Sequence, residues 1–151
     1  MEMKSDSLTQ IARDIIRENI YLTLSSTDGA VVWATPLYYA VSDTYTFYFI
    51  SQMTSLHIIH ILRNPKVSFA IFDYHQKEGT GNGVQGSGKA YLMNEKELGE
   101  AFTWYHSTYI PLEKESFTGK APYRFFKLIP EHFFVLDPDK AIDVRVEVKI
   151  M

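Results

Sequence analysis

Apolar and polar positions alternate along this chain with two different periods, and the places where the period changes mark its elements. Leu8, Ile11, Ala12, Ile15 and Ile16 recur every three or four residues. That spacing predicts a helix reaching about Glu18, with Ser5-Asp6-Ser7 offering a cap and Asn19 a stop. From Ile20 to Ser26 the period becomes two: Ile20, Leu22 and Leu24 against Tyr21, Thr23 and Ser25, a strand. Thr27-Asp28-Gly29 is a hairpin turn. Ala30 to Tyr39 is the next strand, and Pro36 inside it predicts an edge or a bulge, because proline has no N–H to give to a ladder. Something other than a neighbouring strand is therefore expected over the backbone at Ala34-Thr35-Pro36. Val41-Ser42-Asp43-Thr44 is a second turn.

The stretch from Tyr45 to Asp73 carries the most information. Tyr45, Phe47 and Phe49 alternate with Thr46, Tyr48 and Ile50, a strand that runs into Ser51-Gln52-Met53-Thr54-Ser55. Leu56, Ile58, Ile59, Ile61 and Leu62 then suit a helix of about two turns with Thr54 or Ser55 as N-cap. Asn64-Pro65 stops it. Lys66 to Asp73 is another strand, with Val67, Phe69 and Ile71 on one face. A strand that ends in hydroxyls at a helix N-terminus suits an anion such as phosphate, since the first N–H groups lack intrahelical partners and the dipole is positive there. Ser51, Ser55 and His57 add side-chain donors. The plainer alternative is that the two serines only cap the helix and bind water.

His75 to Asn82 reads as a polar, Gly-rich hairpin loop. Gly83 to Asn94 is a strand interrupted by Gly86 and Gly88. Glu95 to about Tyr109 is helical, with Leu98, Ala101, Phe102 and Tyr105 on one face, and Asn94 with Glu97 forms a capping box. Ile110 to Ala121 is irregular. Tyr123 to Leu136 reads as two short strands around Pro130. Ile142, Val144, Val146 and Val148 alternate in a final strand or pairing tail. Six or seven short strands in hairpin spacing, with helices at the start, middle and two-thirds point, predict a mainly β, α+β domain: a closed or half-closed antiparallel barrel, not a parallel doubly wound sheet.

Composition narrows this further. A chain of 151 residues implies one domain, 1–151, and 46% hydrophobic with 15% aromatic residues is enough for a sizeable core. Net charge is −3 without a basic stripe, which argues against nucleic acid as the main partner. The chain has no cysteine, excluding disulfides, thiolate metal sites and a Cys nucleophile, and fitting a reducing cytoplasm. The N-terminus is polar and carries no signal peptide, and the longest apolar runs are too short to span a bilayer, so no membrane partner is expected.

Several short matches carry little chemistry. Gly81-Asn82-Gly83-Val84-Gln85-Gly86 has dinucleotide-fingerprint spacing, but no strand leads into it and no helix opens from it. Gly83 to Ala90 nearly spells a P-loop, with Ala90 where a magnesium-holding hydroxyl is needed. These glycines suit a bulge or close backbone approach. His57 and His60 are three apart on one helix, yet no further His has ligand spacing, so no metal is expected. No nucleophile elbow surrounds any serine. Trp33, Trp104, Tyr105 and Tyr109 are most simply core or interface aromatics.

The order Tyr-Phe-Ile-Ser (48–51), Ser55-Leu56-His57, Asn64-Pro65-x-Val67 and Gln85-Gly86-x-Gly88-x-Ala90 resembles the pyridoxamine 5'-phosphate oxidase-like FMN-binding split-barrel superfamily over roughly residues 20–136. The resemblance implies a six-stranded antiparallel Greek-key split barrel with flanking helices, usually a homodimer with two flavin sites in the interface. It implies FMN against Trp33, Ala34, Thr35 and Pro36. The phosphate would lie at Ile50, Ser51, Ser55 and His57, with Gln85 and Gly86 approaching the cofactor and Trp104 or Tyr123 covering the ring from the other subunit. Departures accompany it. Leu56-His57 stands where phosphate-oxidising members carry Arg-Lys, Trp33-Ala34 where they carry an Arg, and the basic substrate-binding tail motif is missing. Imidazole is a weaker, pH-dependent phosphate partner than lysine. His at this place is similar to a subgroup without an assigned activity. The implied function is an FMN-dependent oxidoreductase with an open substrate and electron donor. The alternatives are a non-catalytic flavin- or haem-binding protein, or a barrel that has lost its cofactor.

Overall fold

Strand periodicity and aromatic content resolve into one curled antiparallel sheet in the computed structural model, which describes residues 2–151. The elements are α1 (Glu2–Glu18), β1 (Tyr21–Thr27), β2 (Val32–Tyr38), β3 (Ala40–Val41), β4 (Phe47–Gln52), α2 (Leu56–Arg63), β5 (Lys66–Phe72), β6 (Gly83–Leu92), α3 (Leu98–Trp104), β7 (Tyr123–Leu136) and β8 (Arg145–Val148). Short 3₁₀ turns precede α3 at Glu95–Glu97 and β7 at Lys114–Phe117. The sheet runs β2-β1-β5-β6-β7-β4-β3, with β8 also on β7. The chain is therefore an α+β half-barrel of eight strands where six or seven were expected; the two-residue β3 was not anticipated, whereas β8 falls in the alternating segment read as a final strand or pairing tail. β2 lies at the end of the ladder, as Pro36 required. Among the described residues no helix is long and apolar enough to cross a membrane.

Inside the curl lies the main core. Leu22 and Leu24 of β1, Phe47 and Phe49 of β4, Val67, Phe69 and Ile71 of β5, and Phe126, Leu128, Phe133 and Val135 of β7 pack with α1 and with Ile58 and Ile61 of α2. A second cluster forms on the outer side of β4 and β7, where α3 brings Leu98, Ala101 and Tyr105 onto Tyr48, Phe117 and Phe125. β4 is therefore buried on both faces, which explains its nearly unbroken apolar run.

Three elements differ from the sequence reading, each through a contact remote in sequence. α1 begins before Ser5-Asp6-Ser7, so that triplet is helical and not a cap. Lys4, in its first turn, pairs with buried Asp137 at 2.9 Å and fastens the helix start. The helix after Asn94 stops at Trp104 instead of near Tyr109: Tyr105 turns extended and packs its ring on Phe125, 5.1 Å between centroids. The capping box of Asn94 and Glu97 is present. β7 is one 14-residue strand through Pro130, because β6 bulges between Ser87 and Gly88, opposite that proline. A Cβ on Gly88 would lie 2.2 Å from the Ile129 carbonyl, so only glycine follows the kink. β7 is long enough to serve two partners along one edge, β4 with its first half and β8 with Phe133–Leu136. The C-terminal strand thus pairs within its own chain.

Candidate functional site

Helix α2 closes one mouth of the half-barrel, packing on β1, β2 and β6. Its apolar period turns Ile58 and Ile61 inward, and His57 and His60 go with them: both imidazoles are buried. Ser51, the last inward residue of β4, lies 2.8 Å from His57 Nε2. Ser26 of β1 lies 3.0 Å from His60 Nδ1. Two histidine–serine pairs therefore pin the helix to strands on either side of the curl. Burial, and secondarily the neighbouring His60, hold the His57 pKa below its ordinary value, so the ring is neutral near pH 7. His57 thus brings no cation to this place and spends Nε2 on Ser51.

The N-terminus of α2 keeps other donors. Ser55 occupies the N-cap position, but its hydroxyl makes no capping bond to the helix and is left for other partners. The first-turn N–H groups of Leu56 and His57 have no intrahelical acceptor by position. Arg124 stands opposite Ser51 in the β4–β7 ladder, but its guanidinium donates to the carbonyls of Gly119 and Ala121, both at 2.5 Å. Lys127 pairs with Glu97. An anion here would be held by hydroxyl and backbone dipoles, with Arg124 as the nearest cation in the ladder.

Along the β2 edge, Trp33 pairs with Ser26, Ala34 with Ser25, Thr35 with Leu24 and Pro36 with Thr23. Thr35 shares the inner face with Leu24. Its Oγ1 is buried without a hydrogen-bond partner among the described residues. A buried hydroxyl left so costs about 1–3 kcal/mol, which a ligand acceptor or donor at this spot would remove. Thr35 Oγ1, the free Ser55 hydroxyl and the α2 N-terminus fit a ligand with a polar ring edge and an anionic tail; a cation–phosphate pair at His57 does not fit.

The other residues named from the sequence fall apart in space. Ile50 points to the α3 cluster, as does Trp104. Gln85 is on the outer face of β6, three strands or about 14 Å from β2. Gly86 faces inward, and a Cβ there would sit 2.2 Å from the Phe69 ring and 2.8 Å from the His132 carbonyl. Its missing side chain is filled by Phe69, so packing inside the barrel by itself requires glycine here. Ser26, His60 and Arg124 were not among the residues expected at the site. The spacing of His57 and His60 hinted at a shared face, but serine partners 34 and 6 residues away appear only with the strand register. Among the described residues no group of three or more His, Asp or Glu could hold a metal ion.

The sequence model of one family, described as pyridoxamine 5'-phosphate oxidase, matches residues 8–137. A comparison with curated proteins finds no match. Among solved structures, an Agrobacterium tumefaciens protein of unknown function superposes with a TM-score of 0.70 at 16% identity, over 86% of this chain and 56% of that one. A haem-binding protein from Mycobacterium smegmatis gives 0.71 at 14% identity, over 92% and 57%. A FAD-binding protein from Mesorhizobium loti gives 0.62 at 22% identity, over 80% and 86%. The chain thus spans little more than half of the first two relatives. At these identities the likeness shows the fold.

Proposed function

Because the chain belongs to the pyridoxamine 5'-phosphate oxidase family, we propose that it binds FMN and works as an FMN-dependent oxidoreductase on a small molecule, as a homodimer in the cytoplasm. The observation that carries the cofactor reading is Thr35 Oγ1, buried and unpartnered on an edge strand that packs against α2. Thr35 would hydrogen-bond the ring edge, with Ala34 and Pro36 as the flat backbone beneath it. Ser55 and the first N–H groups of α2 would hold the phosphate, and His57 keeps Ser51 in place. Bound flavin would supply a two-electron acceptor, while this chain's residues supply orientation and the electrostatics around the ring. Val31, Val32 and Trp33 at the start of the same edge are 48%, 73% and 48% exposed, and a second copy seated there would shield them and the ring together.

A specific observation favours a second reading, a flavin or haem carrier without turnover: the α2 site has no lysine, and Arg124 is occupied by loop carbonyls. Weak phosphate anchoring suits exchangeable binding. The experiment is an absorption spectrum of the purified protein before and after incubation with FMN and gel filtration, followed by anaerobic addition of NADH or NADPH. Co-elution of a flavin band with a dimer, bleached by one nicotinamide and restored by an acceptor, supports the oxidoreductase. A co-eluting flavin inert to both nicotinamides supports the carrier. No flavin after incubation overturns both flavin readings.

A further inference from the structure

The outer face of the sheet carries a groove that runs on from the β2 edge used by the flavin reading. One register row crosses four strands as Pro36, Thr23, Ala70 and Gln85. Beyond the last β1–β5 pair, Tyr21, opposite Tyr38, and Phe72, opposite Gly83, both line the same cavity. Small or flat residues thus lie beside a ridge of aromatics, and Tyr21 and Phe72 stand 61% and 67% exposed. A cavity of about 740 Å³ follows this step, bounded also by Tyr74 and His75 from the β5–β6 loop. A second, of about 490 Å³, continues from it under the loop and shares Ala70 and Phe72 with the first.

The two halves differ in charge. The first cavity is lined mostly by apolar surface, with Glu18 as its one carboxylate. The second is lined by Lys77 and Arg145 against the single carboxylate of Glu78. Its wall is a built one. Gln76 donates to the carbonyls of Asp73 and Asn82 and accepts from Thr80 and from the Asn82 amide, tying the loop across its own base. Arg145 reaches the loop from β8, 3.4 Å from the Gly81 carbonyl. Lys77 and Arg145 come from segments 68 residues apart and meet at the same end of the groove.

We propose that this groove binds a flat, aromatic or conjugated small molecule bearing one anionic group, with its ring system against Tyr21 and Phe72 and its anion between Lys77 and Arg145. Apolar surface alone would accept any greasy molecule. The pairing of an aromatic step with a cationic end selects an amphipathic organic anion, because the ring is desolvated at one end while the charge is met at the other. The inference deepens the flavin reading, since Pro36 borders the groove. A role as oxidised or reduced substrate rests on that reading; binding itself does not.

The test uses two fluorescent probes of one shape on the full chain, without added FMN: 8-anilinonaphthalene-1-sulfonate, which is anionic, and N-phenyl-1-naphthylamine, which is neutral. The sulfonate is expected to bind more tightly, and its affinity to fall with added salt. Lys77→Glu with Arg145→Glu is expected to weaken the sulfonate tenfold or more and the neutral probe less than twofold. Phe72→Ser is expected to weaken both probes. Lys77→Glu alone, on an exposed loop, keeps the charge test intact should the double variant fold poorly. Equal losses for the two probes, or none, would overturn the proposal. FMN retention, read at the flavin band on the same variants, is expected to be unchanged. A chain that never takes up FMN but discriminates the probes sinks the flavin reading and leaves the groove standing.

Discussion

Replacing Gly86 with alanine separates a packing glycine from a cofactor-approach glycine. The new Cβ would meet Phe69 Cζ at 2.2 Å, Phe69 Cε1 at 2.6 Å and the His132 carbonyl oxygen at 2.8 Å. Phe69 has nowhere to go. It is 3% exposed, with the Phe47 ring 5.3 Å away on one side and the Phe133 ring 5.9 Å away on the other. The third clash partner is backbone, held in the β6–β7 ladder. Overpacking of this kind costs about 1–3 kcal/mol, and a backbone partner places it at the upper end. Loss of glycine freedom in the unfolded chain returns about 0.4–1 kcal/mol. A net destabilisation of about 2 kcal/mol follows, or a drop of about 4–8 °C in Tm for a chain of this size. Urea unfolding would show it as a midpoint lowered by about 1 M. Adding Phe69→Ala should then cost far less than the roughly 3–5 kcal/mol that the truncation costs alone, because the alanine methyl enters the space the ring vacates. The reasoning fails if Gly86→Ala unfolds within about 0.5 kcal/mol of the parent while losing FMN, since the glycine would then be serving a ligand.

Three further outcomes are expected. Thr35→Val should leave Tm unchanged or raise it slightly, since it removes an unpaired buried hydroxyl, while FMN affinity falls about five- to tenfold; a stability loss above about 1 kcal/mol by denaturant titration would mean the hydroxyl is satisfied. Folding favours the neutral form of His57, whose pKa is held down by burial, so at pH below 6.5 the unfolded chain binds more protons than the folded one. The stability associated with this group is therefore complete above pH 6.5 and declines as pH falls from there toward the lower folded value; urea midpoints from pH 8 to pH 5 should fall more steeply for the parent than for His57→Gln, and parallel slopes would sink the idea. Asn94→Ala removes the side-chain half of a capping box, the Asn94 side-chain carbonyl that accepts from the Glu97 N–H, and should cost about 1 kcal/mol, read as faster amide exchange in the 3₁₀ turn that leads into α3 than elsewhere.

How far the sequence reached depends on the range over which each feature is decided. Features decided within a few residues were legible. The period-two burial of β5, the hairpin turn at Asp28-Gly29, the capping box at Asn94 and Glu97, and the edge position imposed by Pro36 all follow from backbone chemistry local to the residues named. The order of motifs from Tyr48 to Ala90 carried the family, because spacing between elements survives where side chains drift. Features decided by a partner far along the chain were not legible. α1 starts early because Lys4 meets Asp137, and β7 passes straight through Pro130 because Gly88 yields on the neighbouring strand. The place of His57 on the helix was visible, but its bond to Ser51 was not. That Phe69 fills the place of a Gly86 side chain was not legible, because the two meet only once β5 and β6 are paired. Local propensity and periodicity determined which segments became strands and helices. The closing of the sheet decided which faces met, and with them which of the polar residues are bonded inside the protein and which, like Thr35, still wait for a partner.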